Sequence, residues 1–209
     1  MELDTGFRPS DDGFGFANTW HDMLLGVISS RGRCGGMVFA ALDAFAAGLP
    51  LHGVARQPVR PGHDSAVARW VWRRQVDSVL THGGTNLVRF ARFTYLPTSH
   101  ELGIGPATRR DLVRLFDLLR SGRPAPLGMV SGLGLPHMAR NHQVLAYAAE
   151  FGDDDVVVRV YDPNLPRRDD VTLEVPFDLA APVVERWAKR RKPWRGFFVE
   201  DYRPRPPLR

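Results

Sequence analysis

Asn141-His142-Gln143-Val144-Leu145-Ala146-Tyr147, followed after Gly152-Asp153-Asp154-Asp155 by Val156-Val157-Val158-Arg159-Val160-Tyr161-Asp162-Pro163-Asn164, decides how this 209-residue chain is read. Both stretches are short and rich in β-branched and aromatic residues, and a Gly/Asp turn separates them, so they are predicted to be antiparallel strands. Such a pair sets the start of the first strand beside the end of the second, which brings His142 next to Asp162. Taken singly, His142 also fits a packed strand histidine, and Asp162-Pro163-Asn164 a turn signal.

Working outward, Pro126 to Leu135, Val171 to Val175 and Gly196 to Tyr202 are further short strand-like runs. Before Pro124 the period is helical. Gly35 to Ala47 is alanine-rich and nearly all apolar, the composition of a buried helix, and Gly48 with Pro50 stops it. Asp64 to about Leu80 carries Val67, Trp70, Val71, Val76, Val79 and Leu80 on one side and Arg69, Arg73 and Arg74 on the other, and is predicted to end at His82-Gly83-Gly84. Pro106 or Ala107 to Leu119 presents Leu112, Val113, Leu115, Phe116, Leu118 and Leu119. The stretch Phe7 to Trp20 is too aromatic for a free tail and reads as an ordered loop. Helices first and strands second predict an α+β domain over residues 1–202, a helical half packed against an antiparallel sheet, with 203–209 as an exposed, flexible Pro/Arg-rich tail.

Composition excludes several classes. A hydrophobic content of 44% with 24% charged residues is that of a globular chain, long enough to bury a core without disulfide or metal support. One cysteine, Cys34, rules out an intrachain disulfide framework. The net charge of +5 comes almost wholly from arginines scattered along the sequence, which permits binding to nucleic acid without selecting it, and nucleic acid is not expected as the partner. No apolar run approaches the length of a membrane span, and no Sec-type leader is visible, so the expected location is the cytoplasm or export by a non-Sec route.

Cys34 lies in Gly32-Arg33-Cys34-Gly35-Gly36-Met37, where the apolar helix should begin. A thiol there faces unpaired backbone N–H groups and the positive end of the helix dipole, both of which favour the thiolate, and the neighbouring glycines admit a close substrate. A buried cysteine opening a core helix is the plainer reading of that residue by itself. With His142 as base and Asp162 as orienter, however, the three types needed for nucleophilic acyl chemistry are all present.

At these residues the chain resembles a family. Cys-Gly at the head of a helix, Gly122-Arg123-Pro124-Ala125-Pro126-Leu127-Gly128, a His-x-Val-Leu strand and Tyr-Asp-Pro-Asn together look like the papain-like cysteine peptidases, particularly their C39-like branch, over roughly residues 28 to 165. The resemblance implies a helical subdomain facing an antiparallel sheet across a cleft, with Cys34 as nucleophile, His142 as general base and acid, Asp162 as orienter, a protein or peptide substrate, and neither cofactor nor metal. It leaves peptidase, deamidase and acyl transferase chemistry open, along with a role as a bacterial effector toxin. The family's glutamine six residues before the cysteine is absent, since Ile28 stands there. Asn18, with Ser29 and Ser30 behind it, is the candidate replacement donor to the oxyanion, and Asn164 rivals Asp162 as orienter. The alternative is a non-catalytic binding module or a degenerate peptidase on the same fold. Specificity is expected from the loops Gly48 to His63 and Leu96 to Gly105. A zinc site from His137, His142 and Cys34 and a stacking surface around Trp70 and Trp72 are the weaker constellations.

Overall fold

In the computed structural model, residues 2–24, 28–30, 32–51, 53–98, 101–178 and 181–208 are described, and the His142 stretch forms a long strand that organises the rest. The strands are β1 (Glu2–Asp4), β2 (Asp22–Leu24), β3 (Ile28–Ser30), β4 (Ala125–Val130), β5 (His142–Phe151), β6 (Asp155–Tyr161), β7 (Thr172–Pro176), β8 (Val183–Trp187), β9 (Arg190–Trp194) and β10 (Gly196–Val199). Among the described residues eight of them form one antiparallel sheet in the order β10-β4-β5-β6-β7-β8-β9, with β1 also on β5, while β2 and β3 make a separate pair. As the turn chemistry predicts, β5 and β6 are antiparallel neighbours, with Leu145 opposite Tyr161 and Phe151 opposite Val156. β4 covers the His142 half of β5 and β1 the far half, at Ala148 to Glu150.

Two of these strands, β8 and β9, escape a reading by hydrophobic pattern. They form a hairpin through Ala188, whose φ of 48° is left-handed. The run Arg190-Arg191-Lys192-Pro193 looks unlike a strand because β9 ends the sheet, where cationic side chains and proline discourage pairing with another chain.

The helices are α1 (Pro9–Asp12), α2 (Cys34–Ala46), α3 (Ala66–Tyr95), α4 (Ile104–Arg120) and the single turn α5 (Leu135–Met138). α2 and α4 match their predicted spans to within two or three residues. α3 does not stop at His82-Gly83-Gly84: Gly83 and Gly84 take left-handed φ values of 74° and 88°, yet the helix continues to Tyr95. The glycines mark an internal irregularity. Across it, Asn86 Nδ2 donates 2.9 Å to Ser78 O and 2.9 Å to Asp201 O, satisfying carbonyls from both the helix and the segment after β10.

The sheet has a core on each side. α2 and the first part of α3 bury Met37, Phe39, Leu42, Val67, Trp70 and Val71 against Leu145, Tyr147 and Tyr161, and the aromatic opening stretch adds Phe7, Phe14, Phe16 and Trp20. Leu112, Leu115 and Leu119 of α4 cover Val144, Ala146, Val158 and Val160. Val113 and Leu80, assigned to the apolar faces by periodicity, are instead 59% and 41% exposed.

Arg74 moves the other way. Read as part of the polar face of α3, it is buried, with Nε 2.7 Å from Asp43 Oδ2 and a further hydrogen bond of 3.1 Å to Oδ1. Tyr202 Oη (2.6 Å) and Arg205 N (3.0 Å) also donate to Asp43, so this one carboxylate fastens α3 and the exposed closing residues to α2. Removing it leaves the buried guanidinium with Asp77 Oδ2, 2.7 Å from Nη1, as its remaining counter-charge. Asp43→Ala is expected to cost about 3 to 5 kcal/mol in urea unfolding, and Asp43→Leu combined with Arg74→Met considerably less. A loss under about 1 kcal/mol for the single variant would show that Asp77 alone compensates Arg74.

Candidate active site

Cys34 opens α2 at the border between the helical half and the sheet, and the residue before it is held from every side. Arg33 N donates 2.6 Å to Asn18 Oδ1. Its guanidinium pairs with Asp22 through Nε and Nη2 (2.7 and 2.8 Å), donates 2.7 Å to Ala68 O, and sits over the rings of Trp20 and Trp72 at 4.9 and 5.2 Å. These bonds fix where the helix begins. Cys34 itself is partly exposed, whereas Gly35 and Gly36 are buried. A Cβ on Gly35 would overlap the side chains of Gln143 and Ser78, so glycine is required for α2 to come this close to β5.

His142 heads β5, and Asp162 follows the last residue of β6. His142 Nε2 lies 2.7 Å from Asp162 Oδ1, and both side chains are buried. Nε2 is thereby committed to Asp162, which leaves Nδ1 for the neighbouring Cys34, whose thiol hydrogen-bonds to Gln143 Oε1. Burial opposes charge on His142, but Asp162, and after it the Cys34 contact, outweigh burial and raise the imidazole well above the ordinary histidine range. Burial likewise works to raise Asp162, and the charge and hydrogen bond of His142, with Asn164 N at 2.7 Å, overcome it and hold the carboxyl below its usual range. Asn164 also touches Nε2, through Nδ2 at 3.2 Å. The shorter contact to a charged carboxylate claims the ring proton, so Asp162 takes the orienting position and Asn164 lies alongside.

Asn18 joins the same group. Besides capping Arg33 N, it donates from Nδ2 to Asn164 Oδ1 at 3.4 Å. Its amide therefore stands between the first turn of α2 and the Asp162 turn. Gly36 N is taken by Gln75 Oε1 at 2.9 Å, while the N–H groups of Cys34 and Gly35 have no acceptor among the described residues. Ile28 is in β3; its side chain, and those of the candidates Ser29 and Ser30, lie outside the described residues.

Four functional-site neighbours carry no motif. Trp194 of β9 stacks on the His142 ring, with centroids 6.1 Å apart and planes at 11°. Its indole N–H donates 2.9 Å to Glu185 Oε2 of β8. Glu185 Oε1 has no hydrogen-bond partner among the described residues, and burial, with the charge of nearby Asp162, pushes Glu185 up to about 7. Gln143 Oε1 accepts from Cys34 Sγ at 3.6 Å, and Gln143 Nε2 donates 2.8 Å to Glu200 Oε1, a carboxyl that burial pushes up to about 8. The available sequence signal was a polar residue inside an apolar strand, as in His142-Gln143-Val144 and Phe198-Val199-Glu200.

Both expected specificity loops reach this cluster, the first at its end through His63, whose Nδ1 lies 3.1 Å from Arg33 Nη2, and the second beside Trp194. Thr98 and Ile104 line a cavity of about 300 Å³ with Ser131, Pro182, Pro193 and Trp194. Leu49, Pro50, Leu51 and Ala55 line another of about 420 Å³ next to Ala44, ten residues and so about 15 Å down α2 from Cys34. Trp70, from the stacking-surface alternative, is buried and lines this second cavity. Among the described residues no group of three or more His, Cys, Asp or Glu side chains is placed to hold a metal ion, and no helix is long and apolar enough to cross a membrane. Comparison with protein-family models, curated proteins and solved structures returns no match.

Glu185 and Glu200 carry a consequence for stability. Both hold their protons above the ordinary glutamate value of 4.5, so the stability they contribute is fully present below that value and is lost as pH rises through about 7 and about 8. The unfolding free energy in urea is expected to fall between about pH 5 and about pH 9, and Glu185→Gln and Glu200→Gln each to flatten the profile. A profile that neither substitution changes would mean that both carboxyls are ionised in the folded chain.

Proposed function

We propose that this chain is a papain-like cysteine hydrolase that opens peptide bonds through Cys34, His142 and Asp162. The observation that supports the reading is the buried His142–Asp162 pair, with Nε2 2.7 Å from Oδ1, set beside Cys34 at the head of α2, the three residues coming from separate segments at the border of helix and sheet. Substrate would lie over the partly exposed Cys34, near the cavity beside Trp194.

His142 takes the thiol proton at Nδ1, and the sulfur adds to the substrate carbonyl carbon. Asp162 keeps the ring oriented and offsets its positive charge. The carbonyl oxygen, now an anion, is met by the N–H of Cys34 and by Asn18 Nδ2, which would stand in for the glutamine that the sequence lacks. Imidazolium returns its proton to the departing amine as the C–N bond breaks, leaving a thioester. Water, deprotonated by His142, adds to the thioester, and the carboxylic acid leaves as Cys34 recovers its proton. The steps balance without a cofactor, and the same sequence with an amine in place of water gives acyl transfer.

Two variants test the reading. Cys34→Ala is expected to abolish cleavage of a denatured-proteome substrate, read as new N-termini, with an unchanged circular dichroism spectrum. His142→Ala is expected to slow both cleavage and iodoacetamide alkylation of Cys34 at neutral pH by about 10²-fold or more. Cleavage that survives Cys34→Ala, or alkylation indifferent to His142, would leave the non-catalytic module as the reading.

A further inference from the structure

Among the described residues Gln143 is the only side chain hydrogen-bonded to the Cys34 sulfur, and its other end is held by a buried carboxyl. The carbonyl end, Oε1, faces Sγ at 3.6 Å, and the amino end donates to Glu200 Oε1 at 2.8 Å. This suits a thiol, whose S–H points at an acceptor. It does not suit a thiolate, which would be left facing a carbonyl oxygen. Turning the Gln143 amide by half a revolution exchanges oxygen and nitrogen without changing shape, and then N–H meets sulfur. The turned amide presents its oxygen to Glu200, so that arrangement needs a Glu200 that can donate.

Glu200 is built to retain a proton. It is buried at 3% exposure, and Oε2 has no hydrogen-bond partner among the described residues, a costly position for half of an ionised carboxylate. The charges facing it are Arg89 from α3, His142 from β5 and Asp201 beyond β10, and burial outweighs the two cations. Asp111 of α4 is itself occupied by Arg89 and by Val199 N. The Gln143 amide packs against Gly35, where an added Cβ would overlap both it and Ser78 Oγ.

We infer that Gln143 and Glu200 form an amide switch beneath Cys34, in which protonated Glu200 lets the Gln143 N–H turn to the sulfur and hold it as thiolate. Ionised Glu200 instead pins the amide with its oxygen toward the sulfur and favours the thiol. Gln143 thus touches the reacting atom, and Glu200 is a positioning residue acting through it. By linkage, thiolate formation tightens the hold of Glu200 on its proton. The inference rests on Cys34 being the reacting group of the proposed hydrolase.

The test is the pH dependence of iodoacetamide alkylation of Cys34 from about pH 6 to about pH 10, with thermal unfolding as the check on folding. In the wild type the rate, after correction for hydroxide-dependent reagent loss, is expected to fall above the titration of Glu200 near pH 8. Glu200→Gln always donates to the turned amide, so its rate should show no fall and should exceed the wild type by about tenfold at the upper end. Gln143→Leu should also lack the fall and react about tenfold more slowly than wild type at neutral pH. Superimposable wild-type and Glu200→Gln curves, or a fall that persists in Gln143→Leu, overturn the switch. His142→Ala separates the two proposals. If alkylation collapses there while Glu200→Gln behaves as wild type, only the switch fails; if alkylation ignores His142, the hydrolase reading fails, and the switch is decided by the Glu200→Gln curve alone.

Discussion

Asp162 bears its charge out of reach of bulk water, and much of the surrounding structure answers that constraint. A carboxylate buried to 4% exposure must be met by donors, and it is met by the His142 ring at 2.7 Å and by Asn164 N at 2.7 Å. Each donor has a structural cause. The β5–β6 register delivers His142, and the Asp162-Pro163-Asn164 turn bends its own backbone back to deliver the amide, while the cationic edge hairpin β8–β9 sets Glu185, held by Trp194, nearby. Without the imidazole, the pocket would hold an uncompensated anion.

That dependence explains what could be read from the sequence. The β5–β6 pairing follows from two apolar runs and a Gly/Asp turn, and pairing alone places His142 by Asp162. Cys34 at the head of α2 follows from an apolar, alanine-rich run preceded by glycines. These are local signals, each carried within about 25 residues of sequence. Gln143, Glu185, Trp194 and Glu200 are different, because nothing near them in sequence announces a role. They matter through contacts across the sheet, and a polar residue in a strand resembles a solvent-facing one until the other layer is known. Arg74 was misplaced for the same reason, its partner Asp43 lying on another helix. The α3 boundary fails on a separate ground, since the Gly83-Gly84 pair reads as a stop and the helix passes through it, with the Asn86 amide bridging on to Asp201.

The cluster also separates orientation from reactivity. Asp162, Glu185 and Trp194 act on the far side of the imidazole, away from the sulfur, and govern where the ring points. Arg33, Asn18, Gln143 and Glu200 lie on the sulfur's side and govern where α2 starts and what the thiol faces. Cys34, Arg33 and Asn18 come from outside the sheet and reach it beside His142 and through the Asn18–Asn164 hydrogen bond, so the alignment depends on how the helical half sits on the sheet.

The anchoring of residues 203–205 to Asp43 bears on that alignment. Asp43 lies on the helix that Cys34 heads, about 13 Å along its axis, while Leu3 pairs with Ala149 on the strand that His142 heads. The outermost segments of the fold thus clamp the two elements whose apposition makes the cluster, like a belt fastened at both of its holes. Both anchors sit at the ends of α2 and β5 remote from Cys34 and His142, so they hold the two elements in place from a distance, without touching the cluster they align.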